Sequence, residues 1–121
     1  MDARIKRINR ADFTHAKKQI QQYTVRCVNV IQDALKLAEE YTGHSRIWFG
    51  DFSNPPLVKE GYSIEDIYVN CNTLWVSMNG EYDNGMMPIE NIDIWYLIDL
   101  TEWLRDHIHD FIEIWEEDNL Q

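Results

Sequence analysis

Two of the four histidines stand together, in the run Asp106-His107-Ile108-His109-Asp110. On a helix, Asp106 and His109 are three apart and His109 and Glu113 four apart, so all three face one way. Carboxylates and an imidazole in that arrangement are ligands for zinc or iron. Asp12 and His15 repeat the Asp-x-x-His spacing. Di-iron bundles use a related Glu-x-x-His pattern on two helices, but bury it in the core with two more carboxylates. Here the Asp106–His109–Glu113 stripe lies opposite the apolar positions of its own helix, as a solvated acidic face does. No metal and no other cofactor is expected.

The remaining reactive residues point to no chemistry either. Cys27 falls within an apolar stripe, where a free thiol behaves as a small buried hydrophobe. Cys71 sits near a hairpin turn. Neither has a basic neighbour placed to lower its pKa, and an intracellular setting argues against a Cys27–Cys71 disulfide. The four serines lie in no Gly-x-Ser-x-Gly elbow, and the five glycines form no phosphate-binding loop. Carboxylates are abundant, but on exposed helix faces they serve solubility and screening. No catalytic residue stands out, and no enzymatic activity is expected.

The aromatic residues carry more signal. Five tryptophans are too many for the deep core of one small domain. Tyr96, Trp103 and Ile114 form the edge of an apolar helix face whose opposite side is acidic. Anchoring aromatics beside steering charges are the composition of an interface. The expected partner-binding residues are therefore Tyr96 and Trp103, with Glu102, Asp106, Glu113 and Glu117. Packing of Trp103 against the rim of the sheet is the competing expectation. Trp95 falls on the acidic side if the helix is regular from its start. Either the helix begins later or this residue meets a partner.

Two amphipathic helices must position these residues. The first spans 12–42, with Asp12 as N-cap. Phe13, Ala16, Ile20, Tyr23, Cys27, Ile31, Ala34, Ala38 and Tyr41 recur along it at the helical period. Gly43 ends it. A break or bend is compatible with its length. The second spans 93–118, with Asp93 as cap. Leu97, Leu100, Leu104, Ile108, Phe111 and Trp115 lie on one face; Asp99, Glu102, Asp106, His109, Glu113 and Glu117 lie on the other.

Between the helices, residues 45–52 read as a strand that Asn54-Pro55-Pro56 terminates. Residues 64–70 and 73–79 read as a hairpin turning at Cys71-Asn72. Trp75 and Ser77 take the face opposite Leu74, Val76 and Met78. Asn79-Gly80 signals a further turn, after which Glu81-Tyr82 begins a short strand and Asp83-Asn84-Gly85 breaks the chain. The fold class that follows is α+β: two long helices on a small antiparallel sheet of three or four strands. A chain of 121 residues makes one domain, residues 1–121, with a basic N-terminal arm over 1–10 that has freedom to move.

Charge narrows the function. The chain has 21 acidic and 11 basic residues, a net charge of −10. Residues 1–31 carry seven bases (Arg4, Lys6, Arg7, Arg10, Lys17, Lys18, Arg26) against two acids. Residues 32–121 carry 19 acids against four bases. The acidic field repels nucleic acid, and the basic start pairs with the acidic end of the same chain or of a twin. No stretch approaches the roughly 20 apolar residues of a membrane span. No apolar segment follows Met1-Asp2-Ala3-Arg4, so a secretory signal is not expected and the setting reads as cytoplasmic. The expected function is that of a small acidic interaction protein. It would bind, and inhibit or regulate, a protein with a basic surface, as an immunity, anti-defence or adaptor protein does. Two alternatives stand beside it. One is a small-molecule or metal-binding domain with a pocket between helices and sheet, lined by Trp48, Tyr68 and Trp75. The other is a self-associating module, a homodimer docked through its basic first and acidic last segments.

Overall fold

The computed structural model describes residues 10–119; the expected arm over 1–10 lies, apart from Arg10, outside the described residues. The chain runs α1 (Arg10–Thr42), β1 (Arg46–Trp48), β2 (Leu57–Lys59), β3 (Tyr62–Asn70), β4 (Thr73–Asn79), β5 (Asn84–Pro88), a 3-10 turn (Ile89–Asn91) and α2 (Ile94–Asn119). The architecture is α+β, two helices packed on one face of an antiparallel sheet. The sheet has five strands rather than three or four. Its order is β1-β3-β4-β5, with β2 pairing the first residues of β3. The extra strands are β2, which follows the two prolines, and β5.

Register explains the two faces of the sheet. Ile47, Ile67 and Val76 pair across β1, β3 and β4, and all three are fully buried beneath the helices. A bulge between Ile64 and Asp66 adds one residue to β3. Ile64 and Ile67 therefore both point inward, although their odd spacing would put them on opposite faces of a regular strand. The other face carries Trp48, Asp66, Ser77 and Met86 in one cross-strand row and Arg46, Tyr68, Trp75 and Pro88 in the next.

α1 buries Cys27, Ile31, Leu35 and Ala38 against this sheet and α2. Leu35 replaces Ala34 at the centre of the expected stripe, and Tyr41 is exposed. The helix is unbroken and already under way at Arg10, ahead of the expected cap at Asp12. Gly43 stops it with φ +79°, its N–H bonding the Glu39 carbonyl at 2.8 Å. α2 buries Leu97, Leu100, Leu104, Ile108, Phe111 and Ile112. Full burial of such side chains is worth about 1.5–3 kcal/mol each. Asp93 caps α2, its carboxylate accepting from the Trp95 N–H at 3.0 Å.

Three local expectations are corrected. The first strand is three residues long, because the chain turns after Trp48, with Phe52 N–H bonding Phe49 O. A Cβ on Gly50 would lie 2.4 Å from Trp48 Nε1, so this turn needs glycine to pass the indole. Glu81 and Tyr82 form the turn after β4 rather than a strand; Gly80 N–H bonds Asp83 O there. Asn84 and Gly85, expected to break the chain, instead begin β5.

α1 and α2 run parallel. Thr101 on α2 lies beside Cys27 on α1, with Oγ1 and Sγ 4.0 Å apart. Thr42 and Trp115, some fifteen residues further along each helix, line one groove. This register sets Ile94 about level with Ile20, so α1 runs past the start of α2 by roughly 15 Å at 1.5 Å per residue.

Candidate functional site

The outward face of α2 is a continuous acidic row. Asp99, Glu102, Asp106, His109, Glu113 and Glu117 are exposed and share one face. The one described cation on this helix is Arg105, which pairs with Asp106 at 3.2 Å. The leucine face beneath is buried, so the two faces are as distinct as their sequence pattern.

Trp95 heads this row. α2 is helical from Ile94, so a later helix start does not account for Trp95. Four residues before Asp99, it lies on the carboxylate side and is 74% exposed. The indole is the second most exposed large hydrophobic side chain described, after Tyr82 in the β4–β5 turn. Its N–H backbone group is held by the Asp93 cap, so the ring stands on an ordered first turn.

The two expected aromatic anchors are placed differently. Tyr96 and Trp103 are half-buried and pack against the core. Trp103 lies in an aromatic cluster: its ring centroid is 4.9 Å from Phe49, 4.8 Å from Phe52 and 4.4 Å from His107, which stacks on it. His107 Nδ1 lies 2.9 Å from the Trp103 carbonyl oxygen. Trp103 therefore packs at the rim of the fold. Glu102, Asp106, Glu113 and Glu117 are all exposed.

Residues 15–26 of α1 form a second exposed surface among the described residues. From His15 to Arg26 every side chain is exposed except the half-buried Thr24. Ile20, Tyr23 and Val25 are 51%, 52% and 58% exposed. Lys18, Gln21, Gln22, Val25 and Arg26 line a shallow groove on its outer side. Arg26 stands over the Tyr23 ring at 5.6 Å.

A third feature lies at the other end of the molecule. A groove of about 760 Å³ is lined by Thr42, Arg46, Trp48, Tyr68, Phe111 and Trp115, among others. Trp48, Tyr68 and Trp75, expected to line a pocket between helices and sheet, share the opposite, uncovered sheet face. Trp48 and Tyr68 line this groove there; Trp75 does not. Beneath Trp48, the buried Asp66 carboxylate accepts from Arg46 Nε at 2.6 Å and from the Ser77 hydroxyl. Arg46 also stands over the Trp48 ring at 5.5 Å.

Among the described residues no three His, Cys, Asp or Glu side chains converge to hold a metal ion. Both cysteines are free thiols, Cys27 buried and Cys71 exposed. No described helix is long and apolar enough to cross a membrane. No known protein family, curated protein or solved structure matches this chain.

Proposed function

We propose that this chain is a small acidic interaction protein that binds a basic surface of a protein partner through the outer face of α2, acting as an inhibitor or adaptor. The observation that carries the reading is Trp95, 74% exposed at the head of a carboxylate row. Exposing an indole to water has no folding benefit, whereas a buried tryptophan is the commonest anchor of an interface. The row behind it supplies long-range steering toward Lys and Arg, and competes for the side chains that grip a phosphate backbone. Tyr96 and Trp103 support this face from beneath, and Trp95 takes the anchoring role.

The test is calorimetric titration with a lysine-rich helical peptide. Replacing Glu102 and Glu113 with Gln, and Asp106 with Asn, should weaken binding about tenfold or more and flatten its salt dependence. Trp95→Ala should weaken it at every salt concentration. Unchanged affinity in both variants refutes the reading.

The groove beside Trp48 and Tyr68 favours a second reading, a site for a small planar molecule, because two aromatic side chains line an open concavity there. Screening planar compounds against the chain and its Trp48→Ala variant checks it; a ligand that binds both equally rules the groove out.

A further inference from the structure

The parallel register of the two helices sets Arg26 about level with residue 100, between Asp99 and Glu102, and leaves the far end of the acidic row beyond the cations of α1. Lys17 and Lys18 on α1 lie about level with residue 92. Glu113 is about 30 Å further along the axis than these lysines and about 20 Å further than Arg26, well beyond a Debye length of about 8 Å. α1 is one unbroken helix, so Lys17, Lys18 and Arg26 cannot swing back to that end. Among the described residues, ion pairs join Arg46 to Asp66 and Arg105 to Asp106, and none involves Lys17, Lys18 or Arg26.

Among the described residues the same segment has little apolar cover. A helical stretch with no tertiary partner is marginal in water, and this one exposes Ile20, Tyr23 and Val25 among its cations. Its outer side carries Lys18 and Arg26 about 12 Å apart along the axis with Val25 between them. The α2 row carries Asp106 and Glu113 about 10 Å apart, with Trp95 as its apolar member. The two surfaces are complementary in charge, and the carboxylates from Asp106 onward lie beyond the axial level of the α1 cations.

We propose that the occupant of the α1 arm is the α2 carboxylate row of a second copy of this chain, the contact being reciprocal in a closed pair. The inference rests on the reading of α2 as the docking face and names the basic surface that it meets. Reciprocity follows because each copy offers one basic arm and one acidic row, so a two-fold pair satisfies both. The pair covers the face that would take another partner, so a basic competitor must open it.

The experiment is sedimentation of the full chain at about 20 mM and about 500 mM salt, chosen to lengthen and shorten the screening distance. The pair should run at twice the 14.5 kDa chain mass at low salt and as a monomer at high salt. Two variants reverse one surface each: Lys17→Glu with Lys18→Glu and Arg26→Glu on the arm, and Glu102→Lys with Asp106→Lys and Glu113→Lys on the row. Each alone should be monomeric at low salt. Mixed together they should restore the pair, since each now complements the other twice. A monomeric wild type at low salt, or a pair that survives arm reversal, overturns the inference. Titration of the row variant with oligo-lysine separates the two proposals. If oligo-lysine binding is lost while the wild type stays monomeric, the α2 reading stands and this one falls. If oligo-lysine binding is unchanged, the α2 reading falls as well.

Discussion

Arg46 closes over Asp66 at 2.6 Å on the face of the sheet that neither described helix covers. The Asp66 side chain is 5% exposed and that of Arg46 is 56% exposed, so the pair is unequal. The carboxylate is satisfied by Arg46 and Ser77. The guanidinium remains hydrated and leans on Trp48.

That inequality predicts an order of effects. Arg46→Ala leaves a buried charge with only Ser77 to hold it and should cost about 3 kcal/mol. Asp66→Asn keeps hydrogen-bonding capacity and frees a guanidinium already in water, so it should cost about 1 kcal/mol. Urea unfolding of the two variants checks this. The reverse order would mean that the exposed cation, not the buried anion, limits the pair.

The β3–β4 turn should accept improvement. Cys71 and Asn72 both have positive φ, 51° and 62°, the geometry of a two-residue hairpin turn that favours Asn-Gly. Cys71→Asn with Asn72→Gly should raise stability by about 1 kcal/mol by removing left-handed strain at both positions. Thermal unfolding measures it, and a lowered midpoint would show that the thiol has a packing role.

Much of this fold was legible because its elements obey simple periods. The Leu97–Leu100–Leu104–Ile108–Phe111 face and the Leu74–Val76–Met78 face both emerged where alternation is clean. What escaped was set by tertiary contacts. Ile20 and Tyr23 belong to the periodic stripe of α1, yet they stay half exposed at the level of the first turn of α2. Asn84 and Gly85 read as a chain break, yet they pair with Asn79 and Met78 as a strand. The half-burial of Trp103 and the exposure of Trp95 were set by tertiary contacts in the same way. Phe49 and Phe52, brought beneath α2 by a turn no periodicity announces, bury Trp103 and leave Trp95 in water.

Tyr62 predicts an alkaline transition. Its hydroxyl donates to Asp83 Oδ1 at 2.5 Å. That hydrogen bond to the neutral phenol, with some desolvation and the nearby negative charge, raises its pKa above the ordinary 10.0. A raised folded-state pKa means that the contribution is fully present below pH 10 and is lost as pH rises through the folded-state value. Absorbance titration should show a phenol ionising above the ordinary 10.0, and Asp83→Asn should lower that late step. An unmoved titration in that variant would assign the shift to burial alone.

Trp95 and Trp103 allow stability and binding to be separated on one helix. Trp103 contacts Phe49, Phe52 and His107, so Trp103→Ala opens a cavity and should cost about 3 kcal/mol. Trp95 is exposed and its cap bond is made by the backbone, so Trp95→Ala should change stability by less than about 0.5 kcal/mol. The effects on binding should run the other way. Trp95→Ala should lose most affinity for a lysine-rich peptide while its unfolding curve overlays the wild type. Trp103→Ala should bind almost normally at temperatures where it remains folded. If both variants lose stability and affinity in step, the indole of Trp95 serves the fold and the docking face on α2 lacks its anchor.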